Sequence, residues 1–534
     1  MKVADGPGTA VGGVGLLRAD GSGLGLAVDR VAAGRIVLRH GDVQVTAAEL
    51  DLAARRIGAG LVRAGVAPGD RVVVLQRNGI ELIELLFGCA FAGAVLVPVN
   101  WRLSRHELRE VVRDARPSVL VVESGTDDDL TGADRSQLRL RLGIGTTEDG
   151  LDDYATWRDA QEPADVRRPA EAGVVVQVYT SGTSGVPKGV QLTAHNIGAK
   201  VAHVARAWGM GAPGTVSLLA TPLFHIGALS WALVGMHAGA TTVVAESVAA
   251  HALVDTFRRE RITHAFLVPT LLRRLCDALP DGEALPDLRD VMYGAAPITP
   301  AEQRRAARRL GCRLHQLYGL TETTGGITQL DIEADSVDAP EASSVGLPYS
   351  WVEVEIRDPD TGARLRPGET GEVWTRSAQN TPGYAGRPDE TAALLTPDGW
   401  LRTGDGGRLG PNGHLYLTDR IKDMIVTGGE NVYPVEVERV LRDHPGIADV
   451  AVVGLPDDRW GEIVTAVVVP RAGADVTEAG VIDFTSARIA GYKRPRRVVL
   501  TTELPRNATG KVLKRVLRRA LADRRADQQE GVAP

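Results

Sequence analysis

The sequence predicts an α/β protein, with a large N-terminal α/β domain and a small α+β domain at its C-terminal end. Three observations predict it. From about residue 45, helical stretches alternate with short β-branched runs, and strand, helix, strand in that order makes a parallel sheet with crossover helices. After about residue 345 the pattern changes to period two with turn signals, as antiparallel strands show. A further small unit begins near Asp423. At 534 residues the chain exceeds one core, since domains run to about 150 residues.

The elements follow in order. "AAELDLAARRIGAGLVRAGV" carries apolar residues at helical spacing, and "RVVVLQ" reads as a strand. "GIELIELLFGCAFAG" reads as a helix, and "AVLVPVN" and "SVLVVE" as strands. The apolar run at residues 85–97 is too short for the roughly 18 to 20 residues of a bilayer span, so a buried helix or helix–strand pair is expected. The same alternation returns in "HAFLVPTLLRRLCDAL" and "DVMYGAAPITPAEQRRAARRL". "VEVEIRDPDTGARLRPGETGEVWTR" marks the β-rich part. "VEVERVLRDHPGIADVAVVGL", "IVTAVVVP" and a basic helix after Lys511 make the last unit. No period of 20 to 50 residues recurs, which disfavours solenoids and propellers. The Gly-rich first 25 residues and the last ten or so are expected to be poorly ordered.

Composition excludes several classes. The chain is 44% hydrophobic and 24% charged, and its net charge of −6 gives no reason to expect nucleic acid. Its three cysteines, Cys89, Cys276 and Cys312, lack metal-ligand spacing, and their odd number argues against a disulfide framework. The start lacks the basic-then-apolar order of a signal peptide. A cytoplasmic protein without a membrane span is the expectation, as a monomer or homodimer.

One loop stands out. "YTSGTSGVPKGV", residues 179–190, holds three glycines, four hydroxyls and a lysine. Its backbone N–H groups, the hydroxyls of Thr180, Ser181, Thr183 and Ser184, and the Lys188 ammonium are donors. A polyphosphate is the first candidate guest. The order Gly182, Gly185, Lys188, Gly189 does not fit Walker A, and this stretch holds no G-x-G-x-x-G. A flexible surface linker is the plain alternative, but the preceding "GVVVQVYT" makes a strand-to-loop junction, where α/β sheets place ligands.

Four further motifs follow in order: "YGLTET", "LRTGD", "DRIKDMIVTGGENVYPVEVE" and "PRNATGK". With the loop, they resemble the adenylate-forming superfamily of acyl-CoA synthetases, peptide-synthetase adenylation domains and beetle luciferases. The resemblance runs from about residue 40 to about residue 520. "TPLFHIGAL" and "GGENVYP" look most like the acyl-CoA and aryl-CoA ligase branch. It implies an adenylation domain over residues 1–422, built from two α/β sheet subdomains and a β-barrel-like subdomain, and a mobile lid domain over residues 423–534.

The resemblance also implies roles. Thr180, Ser181, Gly182, Thr183, Ser184, Gly185 and Lys188 would cradle the β- and γ-phosphates of ATP; Ser184 stands where many members have threonine. Glu322 would sit by Mg²⁺ and Thr321 by the α-phosphate, although a helix-cap carboxylate is the plain reading of Glu322. Gly294, Ala295, Ala296 and Pro297, with Tyr318 and Gly319, would form the adenine slot; "GAAP" alone is a strand end and turn. Asp405 and Arg420 would hold the ribose, although "TGD" is a common turn and lone arginines are usually solvated. Lys511 would bridge carboxylate and α-phosphate, where a solvated face is the default for a basic helix. Lys422 would be the hinge, and Gly428, Gly429, Glu430 and Asn431 would line the coenzyme A channel, or merely join two strands. His225 and Gly227 would border the acid pocket, shaped by "FHIGALSW", "YGLTETTGGITQL" and other loops; alone, His225 reads as a core histidine and the small Gly227 and Ala228 as space.

The implied activity is an ATP-dependent acid–thiol ligase using ATP, Mg²⁺ and coenzyme A. Two alternatives stay open: the same adenylation with another acceptor or acid, such as a carrier-protein thiol, an amine, or nitrite activated for diazotisation, and a nucleotide-binding regulator without turnover.

Overall fold

The computed structural model describes residues 33–530, except residues 104, 127–134, 165–172, 181–186, 296–297, 333–339, 421–422, 428–429, 458–459, 487, 490, 507–509 and 511. The expected disorder of the first 25 residues lies outside this set. Two compact units divide the chain, one of Met1–Ala339 with Ser377–Leu395 and one of Pro340–Arg376 with Thr396–Pro534.

The first unit holds two sheets with helical crossovers, as the alternating pattern demands. In one, the order is Gly383–Tyr384, Lys188–Thr193, Val174–Thr180, Val95–Pro98, Arg71–Leu75, Pro117–Glu123, Leu140–Ile144, Asp152–Asp153. The pairs from Val174–Thr180 onward in that order are parallel, and the first two are antiparallel. In the other sheet, eight strands of this unit run Gly325–Ile332, Arg313–Leu320, Asp290–Gly294, His264–Leu267, Val216–Leu219, Thr241–Val244, Ile36–His40, Val43–Thr46. Here the inner strands are parallel, and the strands at both ends are antiparallel.

Local chemistry sets the helix boundaries. Thr46 and Glu49 cap Ala47–Arg63 reciprocally, the Glu49 amide donating to the Thr46 hydroxyl at 3.2 Å and the Thr46 amide to the Glu49 carboxylate at 2.8 Å. Thr299 and Glu302 repeat that box on Pro300–Leu310, with Pro300 at the first helical position. The run at residues 85–97 divides into the end of the buried helix Ile80–Ala92 and the strand Val95–Pro98, joined by left-handed Gly93 at φ 74°.

The second unit contains an antiparallel four-stranded sheet, Glu353–Arg357, Gly371–Arg376, Leu401–Leu409, Leu415–Arg420, in the β-rich stretch. Arginine and tryptophan alternate on it. Arg402 and Arg357 flank the Trp374 ring at 5.3 and 4.5 Å, and Arg357 and Arg376 flank Trp400 at 4.8 and 4.7 Å. A second sheet follows, in which Gly461–Pro470 pairs with Ile447–Asp457, Ile425–Thr427 and Arg497–Leu500, with helices Pro434–Arg442 and Glu478–Ser486 against it. Its core is aliphatic: Val437, Leu441, Val450, Val452, Val464 and Val481 are buried together. The basic helix spans Lys514–Glu530, entering the stretch expected to be poorly ordered.

At the starting ends of three adjacent strands of the first unit, His264, Asp290 and His315 form a buried polar cluster. His315 bonds Asp290 through Nε2 at 2.8 Å and Asp331 through Nδ1 at 2.7 Å. Burial alone would lower the His315 pKa, but the bonds to Asp290 and Asp331 outweigh it and raise it. A raised folded pKa means stabilisation that is complete below the unfolded value of about 6.5 and is lost as pH rises through the folded value. His315→Gln should therefore lower the unfolding temperature more at pH 6 than at pH 9, where thermal melts of both proteins check it; a pH-independent difference would refute the ionised pairing.

Candidate functional site

Lys188 and Thr180 face each other across the antiparallel pair Val174–Thr180 and Lys188–Thr193. The donor-rich loop is therefore pinned at both ends, at the C-terminal end of a strand that pairs in parallel with Val95–Pro98. Residues 181–185 themselves lie outside the described set. Beneath the pinned ends, the Tyr179 hydroxyl accepts from Gln177 at 3.0 Å and donates to Asp114 at 2.7 Å, and Arg387 donates to Asp114 at 2.9 Å. Burial, then the bond to Asp114, raises the Tyr179 pKa and keeps its proton in place.

Lys188 is half-buried rather than free in solvent. Its ammonium lies 3.0 Å from Glu390 and 5.1 Å from the centre of the Tyr384 ring. The Tyr384 hydroxyl then donates to Glu322 Oε1 at 2.8 Å. A continuous polar line thus runs from Glu390 through Lys188 and Tyr384 to Glu322, joining two residues that the motifs assign separately to phosphate and to Mg²⁺.

Thr321 and Glu322 lie in no helix, so the helix-cap reading of Glu322 fails. They occupy a tight turn between Arg313–Leu320 and Gly325–Ile332, in which Leu320 pairs with Gly325 and Gly319 with Gly326. The Thr323 hydroxyl accepts the Leu320 amide at 2.9 Å and donates to the Gly325 carbonyl at 2.7 Å. Thr381 donates its amide to the Glu322 carbonyl at 2.8 Å, and Gln379 Nε2 donates to the Thr323 carbonyl at 2.8 Å. Gly319 permits this closure: a Cβ there would fall 2.0 Å from the Gly325 carbonyl oxygen.

The residues assigned to adenine gather at the same end of the sheet. Gly294 ends its strand and pairs with Leu317, one residue before Tyr318. Ala295 follows in the left-handed region at φ 70°, a strained conformation for a residue with a Cβ. Ala296 and Pro297 lie outside the described residues.

His225 caps the N-terminus of Ile226–Ala238 by its backbone, with its ring 4.6 Å from Phe224. Burial, then the Arg102 guanidinium, pushes its pKa down to about 4, so it is neutral at pH 7. Its Nε2 is buried and has no hydrogen-bond partner among the described residues. Gly227 leaves no void, contrary to the reading of small residues as space: ring carbons of Phe266 lie 2.9 and 3.0 Å from where its Cβ would be. Ala228 is fully buried.

In the second unit, Asp405 and Arg420, both assigned to ribose, are paired across adjacent antiparallel strands. Asp405 is largely buried, and its amide donates to the Thr403 hydroxyl at 3.1 Å. Glu430 and Asn431 belong to a short strand and pair with Thr427 and Val426. Lys422, Gly428, Gly429 and Lys511 lie outside the described residues.

Sequence reasoning missed Gln379, Thr381, Tyr384 and Glu390. All come from residues 377–395, a segment distant in sequence from the loop and turn it braces. A glycine–tyrosine pair before the proline-initiated helix Pro388–Leu394 signals a turn and a helix start, but not what the tyrosine touches.

The arrangement can hold a polyphosphate beside a carboxylate suited to a hard cation. Similarity to known proteins extends over most of the chain. Residues 27–385 match the family model described as AMP-binding enzyme, and residues 436–511 match that of the AMP-binding enzyme C-terminal domain. A fatty acid–[acyl-carrier-protein] ligase of Streptomyces coeruleorubidus is 36% identical over 89% of this chain and 91% of its own. A feruloyl-CoA synthase of an Amycolatopsis species is 36% identical over 90% of this chain and 95% of its own. The solved structure of the amide bond synthetase McbA from Marinactinospora thermotolerans superposes with a TM-score of 0.82 at 33% identity, covering 92% of this chain and 98% of that one.

Tyr384→Phe removes the hydroxyl bond to Glu322 and leaves a ring near Lys188. It should weaken Mg²⁺·ATP binding about tenfold, the worth of one hydrogen bond to a charged group. Calorimetric titration checks this, and unchanged affinity would remove Tyr384 from the site.

Proposed function

Because the chain belongs to the AMP-binding enzyme family of adenylate-forming enzymes and is an AMP-forming, acyl-CoA synthetase-like ligase, we propose that it joins a carboxylic acid to the thiol of coenzyme A in two half-reactions. In the first, a carboxylate oxygen attacks the α-phosphorus of ATP and pyrophosphate leaves. In the second, the thiol sulfur attacks the acyl carbon of the acyl-AMP, the thiol proton is lost and AMP leaves. The observation that carries this reading is the polar line from the pinned loop at Lys188 through Tyr384 to Glu322.

The chemistry follows from charge. A substrate carboxylate, with a pKa near 4, is ionised at pH 7, so the attack needs no general base. It needs negative charge cancelled between two anions, which is electrostatic stabilisation. Thr180, Lys188 and residues 181–185 would bind the phosphates, and Thr321 the α-phosphate. Glu322 fits Mg²⁺: only its Oε1 is engaged by Tyr384 among the described contacts, and Mg²⁺ is usually held by one or two carboxylates together with substrate phosphates. When bound, the cation would neutralise phosphate charge. Gly294, Ala295, Ala296, Pro297, Tyr318 and Gly319 would take the adenine, and Asp405 and Arg420 the ribose. His225 and Gly227 would border the acid. Residues 423–534 would move about Lys422 between the half-reactions, exchanging Lys511 for the channel at 428–431.

An amine acceptor is the second reading, supported by the 33% identity to an amide bond synthetase. The carrier-protein ligase among the relatives supports a protein-bound thiol.

Pyrophosphate release with ATP and Mg²⁺, across fatty, benzoic, cinnamic and amino-aryl acids plus nitrite, with and without coenzyme A, decides among these when products are read by mass spectrometry. Turnover that rises with coenzyme A and yields a thioester is expected. Release without a thioester would move the acceptor elsewhere, and nucleotide binding without release for any acid would favour a regulator. Lys511→Ala should slow acyl-AMP formation by on the order of 100-fold. Thioester formation from supplied acyl-AMP should stay within about twofold, as expected when the lysine serves only the first transition state.

A further inference from the structure

Lys200 lies on the helix Ala194–Ala207 and is only 2% exposed. Its ammonium donates to the Thr324 carbonyl at 2.7 Å, and it makes no ion pair among the described residues. An ammonium has three donors, so one carbonyl leaves two N–H groups without an acceptor in the described structure. A buried cation in that condition is costly, and buried charges are ordinarily paired.

Its position says what would pair with it. Gly325 has φ 96°, and a Cβ there would fall 2.4 Å from Lys200 Nζ and 3.4 Å from Ser230 Oγ. The ammonium therefore fills the side-chain space of residue 325, with the Ser230 hydroxyl beside it. Ser230 follows Gly227 by one helical turn and donates to its carbonyl at 3.4 Å. Lys200 thus stands where two of the stretches expected to shape the acid pocket, residues 224–231 and 318–330, come together.

We propose that Lys200 determines which acid is taken: its ammonium, with the Ser230 hydroxyl, receives a second carboxylate at the end of the substrate remote from the reacting one. This rests on the ligase reading above. A carboxylate suits the site better than a phenol because it is ionised at pH 7 and supplies the missing countercharge without losing a proton there. Burial lowers the Lys200 pKa to about 7. Burial is the sole cause of that shift, and the acceptor of the ammonium is the uncharged Thr324 carbonyl, so a bound carboxylate would draw it back to the charged form.

ATP–pyrophosphate exchange with matched acids tests this: hexanedioate against hexanoate, 4-carboxybenzoate against 4-methylbenzoate, and 4-carboxycinnamate against 4-methylcinnamate and 4-hydroxycinnamate. In at least one pair the wild type should favour the diacid by about tenfold or more in kcat/KM, chiefly through KM, as expected where a site built for a polar group meets an analogue lacking it. Lys200→Gln, which keeps a donor for the Thr324 carbonyl, should collapse that ratio. An unchanged ratio in the variant would make Lys200 a brace of the turn alone and overturn the proposal. So would a wild-type preference for the methyl partner in every pair, or for 4-hydroxycinnamate over both cinnamate partners. Thermal shifts with each acid and AMP, on wild type and variant, need no turnover. A diacid-specific shift lost in Lys200→Gln, with exchange silent, would support Lys200 and refute the ligase reading; no exchange and no diacid-specific shift would refute both.

Discussion

Buried turn carbonyls must find donors, and this constraint organises the first unit around residues 321–326. The turn there is tight, with Thr324 in the left-handed region at φ 53°, and its own backbone cannot satisfy the carbonyls that point into the protein. Donors arrive from elsewhere: the Thr381 amide on the Glu322 carbonyl, Gln379 Nε2 on the Thr323 and Gly326 carbonyls, and Lys200 Nζ on the Thr324 carbonyl. The Thr324 hydroxyl returns a bond to the Gln379 carbonyl at 2.5 Å. Thr321 and Glu322 are thereby held by segments separated from them by more than fifty and more than a hundred residues. Such preorganisation is what electrostatic stabilisation of a developing charge requires.

The same segment, residues 377–395, serves a second edge. Gly383–Tyr384 adds a short strand beside Lys188–Thr193, and the Ala385 amide donates to the Gly189 carbonyl at 2.8 Å. This sets the Tyr384 ring near the Lys188 ammonium with its hydroxyl on Glu322. One insertion of chain therefore coordinates the loop and the turn, which belong to different sheets. Its anchoring is polar: Asn196 Nδ2 donates to the Ala378 and Asn380 carbonyls at 2.9 and 2.7 Å, and Arg387 pairs with Asp114. Removing one partner of such a bond would leave a buried polar group unsatisfied, which costs more than the bond itself contributes.

Much of the fold was legible in the sequence because it is written in local periodicity. The helix Ala47–Arg63 is announced by Thr46 and Glu49, Pro300–Leu310 by Thr299, Pro300 and Glu302, and the strands by their β-branched runs. The division of residues 85–97 into helix and strand is marked by Gly93. The candidate site stands in the sequence as motifs: Lys188, Thr321, Glu322, Gly294, Tyr318 and Asp405 each lie in a short stretch whose residue types suit the contact proposed for it.

Other relations depend on distances that no short stretch contains. Tyr384, Gln379 and Glu390 carry no motif, and their roles exist only once sheet pairing brings residues 377–395 to Lys188 and Glu322. Gly227, read locally as space, is filled by Phe266, a residue 39 positions away. Lys200 looks like any helix-surface lysine in "AHNIGAKVAHVARA", yet packing of its helix against Ile226–Ala238 buries it on the Thr324 carbonyl. Sequence by itself determined the class of fold, the order of elements and the chemical kinds of group available, since these depend on local propensity and side-chain type. Tertiary structure alone decided which of those groups are buried, paired or left with open hydrogen-bonding capacity, because desolvation and pairing are properties of three-dimensional neighbours.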